Sequence, residues 1–210
     1  ANAGFSIVDY NGSGTDGKIP HGLSAAPQVV IIKCTSNGST NWINYYETIG
    51  NDSYLTLNLD NDLDNYTDWI SVDATHFSIG AVFGNASTIG RQYVAYCWHS
   101  VTGYSKFGTY TGNGGTQSIT GLGFKPDFIM FKKTSSDQDW LMVDSLRGGQ
   151  KELVPNGTAA EYTMTNGVSS FNADGWTMGA NNALNTNSAT YIYMAFKKNV
   201  ASNTTLANSF

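Results

Sequence analysis

YNGSG, at residues 10–14, returns as YTGNG at residues 110–114, and the segments around the two copies repeat as well. The strand-like run YVAYCW at residues 93–98 returns as YIYMAF at residues 191–196. The spacing between matching positions stays between 98 and 100 residues along the chain. Solenoid and propeller repeats have periods of ~20 to 50 residues, so the repeated unit here is a whole domain.

Two residue types keep their place in both copies. Lys33 and Lys132 each stand six residues after a proline, and each is followed by a tryptophan, Trp42 or Trp140, eight or nine residues later. We therefore predict one duplicated unit, and we expect function in the surfaces that two similar units present.

The composition favours β-sheet. Of the 210 residues, 13% are charged and 13% aromatic, and there are 23 glycines. Aromatic and β-branched side chains fill pleated faces, while Gly and Asn supply tight turns. No stretch has a sustained helical period. The predicted fold is all-β, with two tandem antiparallel β-sandwich, jelly-roll-like units at residues 1–105 and 106–199 and a polar tail at residues 200–210.

The strands are predicted from alternation and from glycine or proline punctuation. In the first unit they cover residues 5–10, 19–23, 28–33, 42–46, 54–59, 69–72, 77–82 and 93–98, with an acidic loop at residues 60–68. In the second unit they cover residues 107–111, 128–133, 140–144, 176–179 and 191–197. The short junction between the units predicts a rigid pair that shares an interface.

Charge argues against a nucleic-acid partner. The net charge is −5, from −6 in residues 1–105 and +1 in residues 106–210, without a basic cluster. The longest aliphatic run, residues 29–32, is far below the ~20 residues of a membrane span, and no signal peptide opens the chain, so we expect no membrane insertion. Cys34 and Cys97 are expected to be buried free thiols rather than a disulfide.

Five residues are weak candidates for ligand binding. Trp42 and Trp140 are either sugar-stacking platforms or, as is commoner for a repeated strand position, core residues. Asp60, Asp62 and Asp64 are spaced like the start of a calcium loop, but Asn65 and Ser71 stand where an EF-hand needs Gly and Glu. The default is therefore a solvated loop with no cofactor, and the alternative is a weak surface Ca²⁺ site.

Catalysis finds little support. GSGTDG at residues 12–17 spells G-x-G-x-x-G, but no helix follows to meet a phosphate, so it predicts a turn. The histidines lack metal-ligand spacing. Glycoside hydrolysis needs paired carboxylates, and no spacing selects a pair among the candidates Glu47, Asp144, Glu152 and Glu161.

The longest distinctive strings are GFSIVDYNGSGTDGKIPHGLSAAPQVVIIKC, YVAYCWHSVTGYSKFGTYTGNGG, GLGFKPDFIMFKK, DWLMVDSLRGG and YIYMAFKKN. Together they resemble an uncharacterised repeat domain of virion proteins from marine and aquatic tailed bacteriophages. The resemblance covers residues 4–199; His99 and the acidic loop depart from it.

That resemblance implies a virion structural protein exposed on the particle, as a tail-fibre module or a capsid decoration. It implies assembly with other virion proteins and attachment to host surface glycan, and no catalytic residues. By analogy we expect a homo-oligomer, with a trimer as the first expectation. The alternatives are a polysaccharide depolymerase and a cement protein without a ligand.

Overall fold

The computed structural model describes residues 4–15, 17–80 and 83–198. The polar tail predicted at residues 200–210 lies outside these residues. Within the described ranges no helix is long and apolar enough to cross a membrane.

The described residues form 18 strands, two short helices and one 3₁₀ turn. The first half contains β1 (Phe5–Asn11), β2 (Gly17–Pro20), β3 (Val29–Cys34), β4 (Ile43–Tyr46), a 3₁₀ turn (Glu47–Ile49), β5 (Ser53–Thr56), β6 (Asp64–Asn65), β7 (Ile70–Val72), β8 (His76–Ile79), α1 (Gly84–Ser87) and β9 (Gln92–Trp98). The second half contains β10 (Ser105–Thr111), β11 (Gln117–Ile119), β12 (Phe128–Lys133), β13 (Leu141–Asp144), β14 (Lys151–Glu152), β15 (Tyr162–Thr163), β16 (Val168–Asn172), β17 (Gly175–Met178), α2 (Asn182–Asn185) and β18 (Thr190–Phe196).

The two halves match strand by strand, which confirms the tandem duplication. Each has nine described strands in the same order, with one helical turn before the last strand. Tyr10 is the last-but-one residue of β1 and pairs with Tyr93. Tyr110 is the last-but-one residue of β10 and pairs with Tyr191. Trp98 and Phe196 end the matching strands β9 and β18.

Each unit is an antiparallel sandwich. In the first unit a large sheet, ordered β1-β9-β3-β4-β5-β6, faces a small sheet, ordered β2-β8-β7. In the second unit a sheet ordered β10-β18-β12-β13 faces one ordered β11-β17-β16, and β14 and β15 form a separate pair. A buried apolar core fills each sandwich, around Trp69 and Phe77 in one and around Phe131 and Trp176 in the other.

The two large sheets pack against each other through their outer faces. On β3 the side chains alternate: Val30 and Ile32 enter the core of the first sandwich, while Val29 and Ile31 enter a third apolar cluster. The second unit contributes Phe107 and Met194, among others, to that cluster. This inter-unit interface explains why the predicted strand after Pro27 is buried on both faces.

Several boundaries differ from the predictions. The strand predicted at residues 54–59 ends at Thr56 because Leu59 N–H turns back to the Thr56 carbonyl. Leu59 is therefore exposed rather than on one face with Leu55. The predicted acidic loop contains the short strand β6. Neither of the short helices α1 and α2 was predicted. Residues 12–15 form no helix, in agreement with the predicted turn, and Gly14 has a φ of 64°. Asp16 lies outside the described residues, and Gly17 begins β2.

Cys34 and Cys97 are free and buried, as the sequence favours. Both lie among the apolar residues of the first sandwich core. Burial raises the pKa of the Cys97 thiol to about 12. The neutral thiol is therefore the form that packs in the core.

Candidate functional site

The outer face of the first unit's large sheet is only partly covered by the second unit. Strand register places side chains in rows across this face. One row runs through Phe5, Trp98, Val29 and Tyr46, and the next through Ile7, Tyr96, Ile31 and Asn44. The β3 and β4 ends of both rows are buried, whereas the β1 and β9 ends reach solvent.

The solvent-reaching part carries stacked aromatic rings. We call Phe5, Ile7, Trp42, Tyr96 and Trp98 the aromatic face. The ring centroids of Phe5 and Trp98 are 4.9 Å apart, those of Trp98 and Tyr96 6.2 Å, and those of Tyr96 and Trp42 6.4 Å. The ring planes lie within 28° of parallel in these pairs. The four rings are half-buried, and Ile7 is 61% exposed.

A polar hollow adjoins the aromatic face. It has a volume of about 210 Å³, and its polar lining includes Asp9, Asn11, Thr35 and Gln92. These four side chains are exposed. Aromatic rings that stack on apolar ligand surfaces, next to polar groups that fix orientation, are typical of small-molecule and sugar sites.

The matching face of the second unit is covered. Phe107, Met194 and Trp140 occupy the positions of Ile7, Tyr96 and Trp42, and all three are buried in the inter-unit interface. The β1 and β9 part of this sheet face is therefore partly open in the first unit, whereas the matching part is buried in the second.

The two candidate tryptophans therefore lie in different environments. Trp140 is 1% exposed, donates from Nε1 to the Thr56 carbonyl at 3.0 Å, and packs on Tyr46 with centroids 6.2 Å apart. Its ring is closed to a ligand while the units remain in contact. Trp42 is half-buried and belongs to the aromatic face.

The acidic loop contacts the second unit. Gln138 N–H donates to the Asp60 carbonyl at 2.8 Å, and Asp62 N–H donates to the Asp137 carboxylate at 3.1 Å. The Asp64 carboxylate accepts from Asn61 Nδ2 at 2.5 Å. Among the residues that the structure describes, no group of three or more His, Cys, Asp or Glu side chains is arranged to hold a metal. The loop thus has a packing role that the sequence did not indicate.

The second repeated lysine lies beneath this loop. Lys132 is fully buried, and its Nζ donates to three carbonyl oxygens, of Gln138 at 2.7 Å, Asp60 at 3.0 Å and Lys133 at 3.1 Å. Burial lowers the pKa of Lys132 to about 8, against the attraction of nearby carboxylates. Its counterpart Lys33 donates to the Thr40 carbonyl. Each lysine therefore donates a hydrogen bond to the hairpin turn that follows its own strand.

The carboxylates considered for hydrolysis are held in different ways. Asp144 and Glu161 both contact the Arg147 guanidinium, at 2.5 Å and 3.1 Å. Burial would raise the pKa of Asp144, but hydrogen bonds from Arg147 outweigh it and hold that pKa below its usual value. Glu47 is exposed and accepts from Gln28 Nε2 at 2.9 Å.

Glu152 is the buried member of that set. It is 1% exposed and accepts a hydrogen bond from the Tyr162 hydroxyl. Burial raises the pKa of the Glu152 carboxyl. Its one described side-chain partner is this tyrosine, and no described contact joins it to Glu47, Asp144 or Glu161.

Sequence reasoning missed most of the aromatic face. Phe5, Ile7, Tyr96 and Trp98 belong to strands that were predicted, but residues 93–98 are apolar at nearly every position. Such a run does not show which face is exposed. The exposure depends on where the second unit packs, which is a tertiary property.

The chain belongs to the family described as a domain of unknown function (DUF7483), whose model matches residues 1–147 and a second time residues 109–209. No curated protein and no solved structure matches it. Two matches of one family model on one chain agree with the duplication seen in the strand order.

Proposed function

We propose that this protein is a glycan-binding adhesion module on the surface of a phage virion, and that the aromatic face is its binding surface. The observation that carries the proposal is the row of stacked, half-buried rings beside a polar hollow. The virion setting rests on the sequence resemblance, which favours a tail-fibre module or a capsid decoration. It also favours a homo-oligomer that assembles with other virion proteins.

A ligand explains the aromatic face better than repeated packing of this fold does. Within one chain, the second unit packs on a surface of the first unit that includes the apolar residues Tyr46 and Ile49. If copies repeated this contact, the aromatic face of one copy would pack on the corresponding outer sheet face of another copy's second unit.

The corresponding surface of the second unit is charged. Asp144 and Arg147 stand at the positions of Tyr46 and Ile49, and Glu161 stands at the position of Leu63. Arg147 links the two carboxylates in ion pairs. Burying this network against an aromatic surface would remove charged groups from water without new partners, which is costly. Repeating the inter-unit interface between copies therefore provides no matching surface for the aromatic face.

Binding to host polysaccharide tests the proposal. Purified protein is titrated against surface polysaccharide from the host, and the variants Trp42→Ala and Tyr96→Thr are compared with Ile89→Ala. Ile89 is an exposed apolar residue that lies against Gly14 and is not part of the aromatic face. Ile89 is 74% exposed. Losing one stacking ring should weaken binding about tenfold, equivalent to ~1.4 kcal/mol, and the control should bind like the parent.

Two results would contradict the proposal. One is a parent protein that binds no host polysaccharide, which would favour a cement protein without a ligand. The other is unchanged binding by both ring variants. Release of reducing sugar during the titration would favour the depolymerase, and antibody labelling of purified particles tests the virion setting separately.

A further inference from the structure

A second cleft opens in the first unit, where the edge strands of its two sheets diverge. β1 is the edge of the large sheet and β2 the edge of the small sheet. The cleft between them has a volume of about 320 Å³ and is lined by residues 8–11 and 17–20, with Ser13, Ile79 and Ser87. We call it the edge cleft. It lies between the sheets and contains no residue of the aromatic face, although Asp9, Tyr10 and Asn11 also line the polar hollow.

The backbone of Asn11 is directed away from the sheet at this cleft. Gly12 N–H donates to the Arg91 carbonyl at 2.9 Å, which makes Gly12 and Arg91 a hydrogen-bonded pair. In an antiparallel ladder such pairs alternate with pairs that do not bond each other. Asn11, opposite Gln92, therefore points its N–H and C=O away from β9. Within the described part of the chain, neither group has a hydrogen-bond partner.

The second unit shows how the equivalent carbonyl is satisfied. Gln117 begins β11 as Gly17 begins β2, and Thr111 ends β10 as Asn11 ends β1. Gln117 Nε2 donates to the Thr111 carbonyl at 2.8 Å. The Gln117 Oε1 is buried without a partner among the described residues. A side-chain amide thus occupies the space between the sheet edges in the second unit, and glycine leaves it open in the first.

We infer that the edge cleft binds an acetamido sugar, with the ligand's amide N–H donating to the Asn11 carbonyl as Gln117 does to Thr111. The volume is at the lower end of the ~300–1,000 Å³ of ligand pockets, which suits one sugar ring. Tyr10 and Ile19 supply apolar wall, while Ser13 and Lys18 supply polar groups for ring hydroxyls. The inference does not require the aromatic face to bind glycan.

Exchanging the residues at the two matching positions tests it. Gly17→Gln should close the edge cleft. A Cβ on Gly17 would lie 3.1 Å from the Ser13 hydroxyl oxygen, which can rotate away, and Gly17 is not among the glycines with positive φ. Gln117→Gly should open the matching space in the second unit.

The measurement is a titration of ¹⁵N-labelled protein with N-acetylglucosamine, with glucose as the matched sugar lacking the amide. We expect N-acetylglucosamine to shift the amide signals of Asn11 and Gly17 and to bind more tightly than glucose. Gly17→Gln should weaken binding by about tenfold or more. Gln117→Gly should add shifts around Thr111, which gives a gain-of-binding readout even if Gly17→Gln folds poorly.

The outcomes separate this site from the aromatic face. Trp42→Ala should leave the Gly17 shift unchanged, whatever its effect on polysaccharide binding. Gly17 is the discriminating signal because Asn11 also lines the polar hollow. Equal binding of the two sugars, or retained binding by a folded Gly17→Gln protein, would overturn the inference. So would an absence of new shifts around Thr111 in Gln117→Gly.

Discussion

Replacing the two matching tryptophans by alanine should have very different effects on stability. Trp140 is fully buried between the units, and its Nε1 donates to the Thr56 carbonyl. A buried Trp removes ~200 Å² from water, worth ~5 kcal/mol at ~25 cal/mol per Å², and its hydrogen bond adds ~1 kcal/mol. Because the site can partly collapse, we expect Trp140→Ala to cost about 4 kcal/mol, within the ~3–5 kcal/mol observed for such changes.

Trp42→Ala is the matched control, because the same substitution is made at the same repeat position, where the ring only borders the inter-unit cluster. Trp42 is half-buried. We expect it to cost about 1–2 kcal/mol, in proportion to its smaller buried area. In urea unfolding followed by tryptophan fluorescence, a slope of ~2 kcal/mol per M would lower the midpoint by ~2 M for Trp140→Ala and by less than ~1 M for the control. Equal midpoints in the two variants would refute the inter-unit interface described above.

Three further predictions concern the packing of the two units and of one copy on another. The pKa of Lys132 is about 8 in the folded protein and ~10.4 in the unfolded chain, so the unfolded state binds more protons between these two pH values. In urea titrations, the stability of the parent relative to Lys132→Met should therefore rise from pH 7 to pH 9.5. A pH-independent difference would contradict this. Asn44 is fully buried, and neither of its side-chain amide atoms has a hydrogen-bond partner in the described ranges. Asn44→Met installs the residue found at the matching position of the second unit and should raise the free energy of unfolding by ~1 kcal/mol. A loss of stability would show that the amide is satisfied. Replacing Asp144, Arg147 and Glu161 with Tyr, Ile and Leu should produce concentration-dependent head-to-tail oligomers in light scattering, beyond any that the parent forms, and unchanged mass would contradict the role of these charges.

The sequence predicted the duplication and the strand order because both depend on local pattern. Matching positions such as Tyr10 and Tyr110 keep the same spacing and the same side-chain type, and turns carry their own glycine signals. Strand ends were less predictable. Alternation continues to Leu59, but a turn hydrogen bond to Thr56 ends the strand earlier.

The candidate site could not be predicted in the same way. Trp42 and Trp140 are equivalent in sequence, and only the packing of one unit on the other makes one half-exposed and the other buried. The edge cleft depends on glycine at position 17, where the matching position of the second unit has Gln117. This difference is visible when the two copies are aligned. Its meaning requires the hydrogen bond from Gln117 to Thr111.

The pairing of first and last strands has a mechanical consequence. Phe5 lies opposite Trp98, and Ser105 lies opposite Phe196, so the chain enters and leaves each unit at the same end of two neighbouring strands. Neighbouring ends allow a unit to be copied in tandem without long connections. A pull on the two ends would load the hydrogen bonds between these strands one after another, as in a zipper, rather than all together in shear. Each unit should therefore open at low force when its two ends are pulled apart.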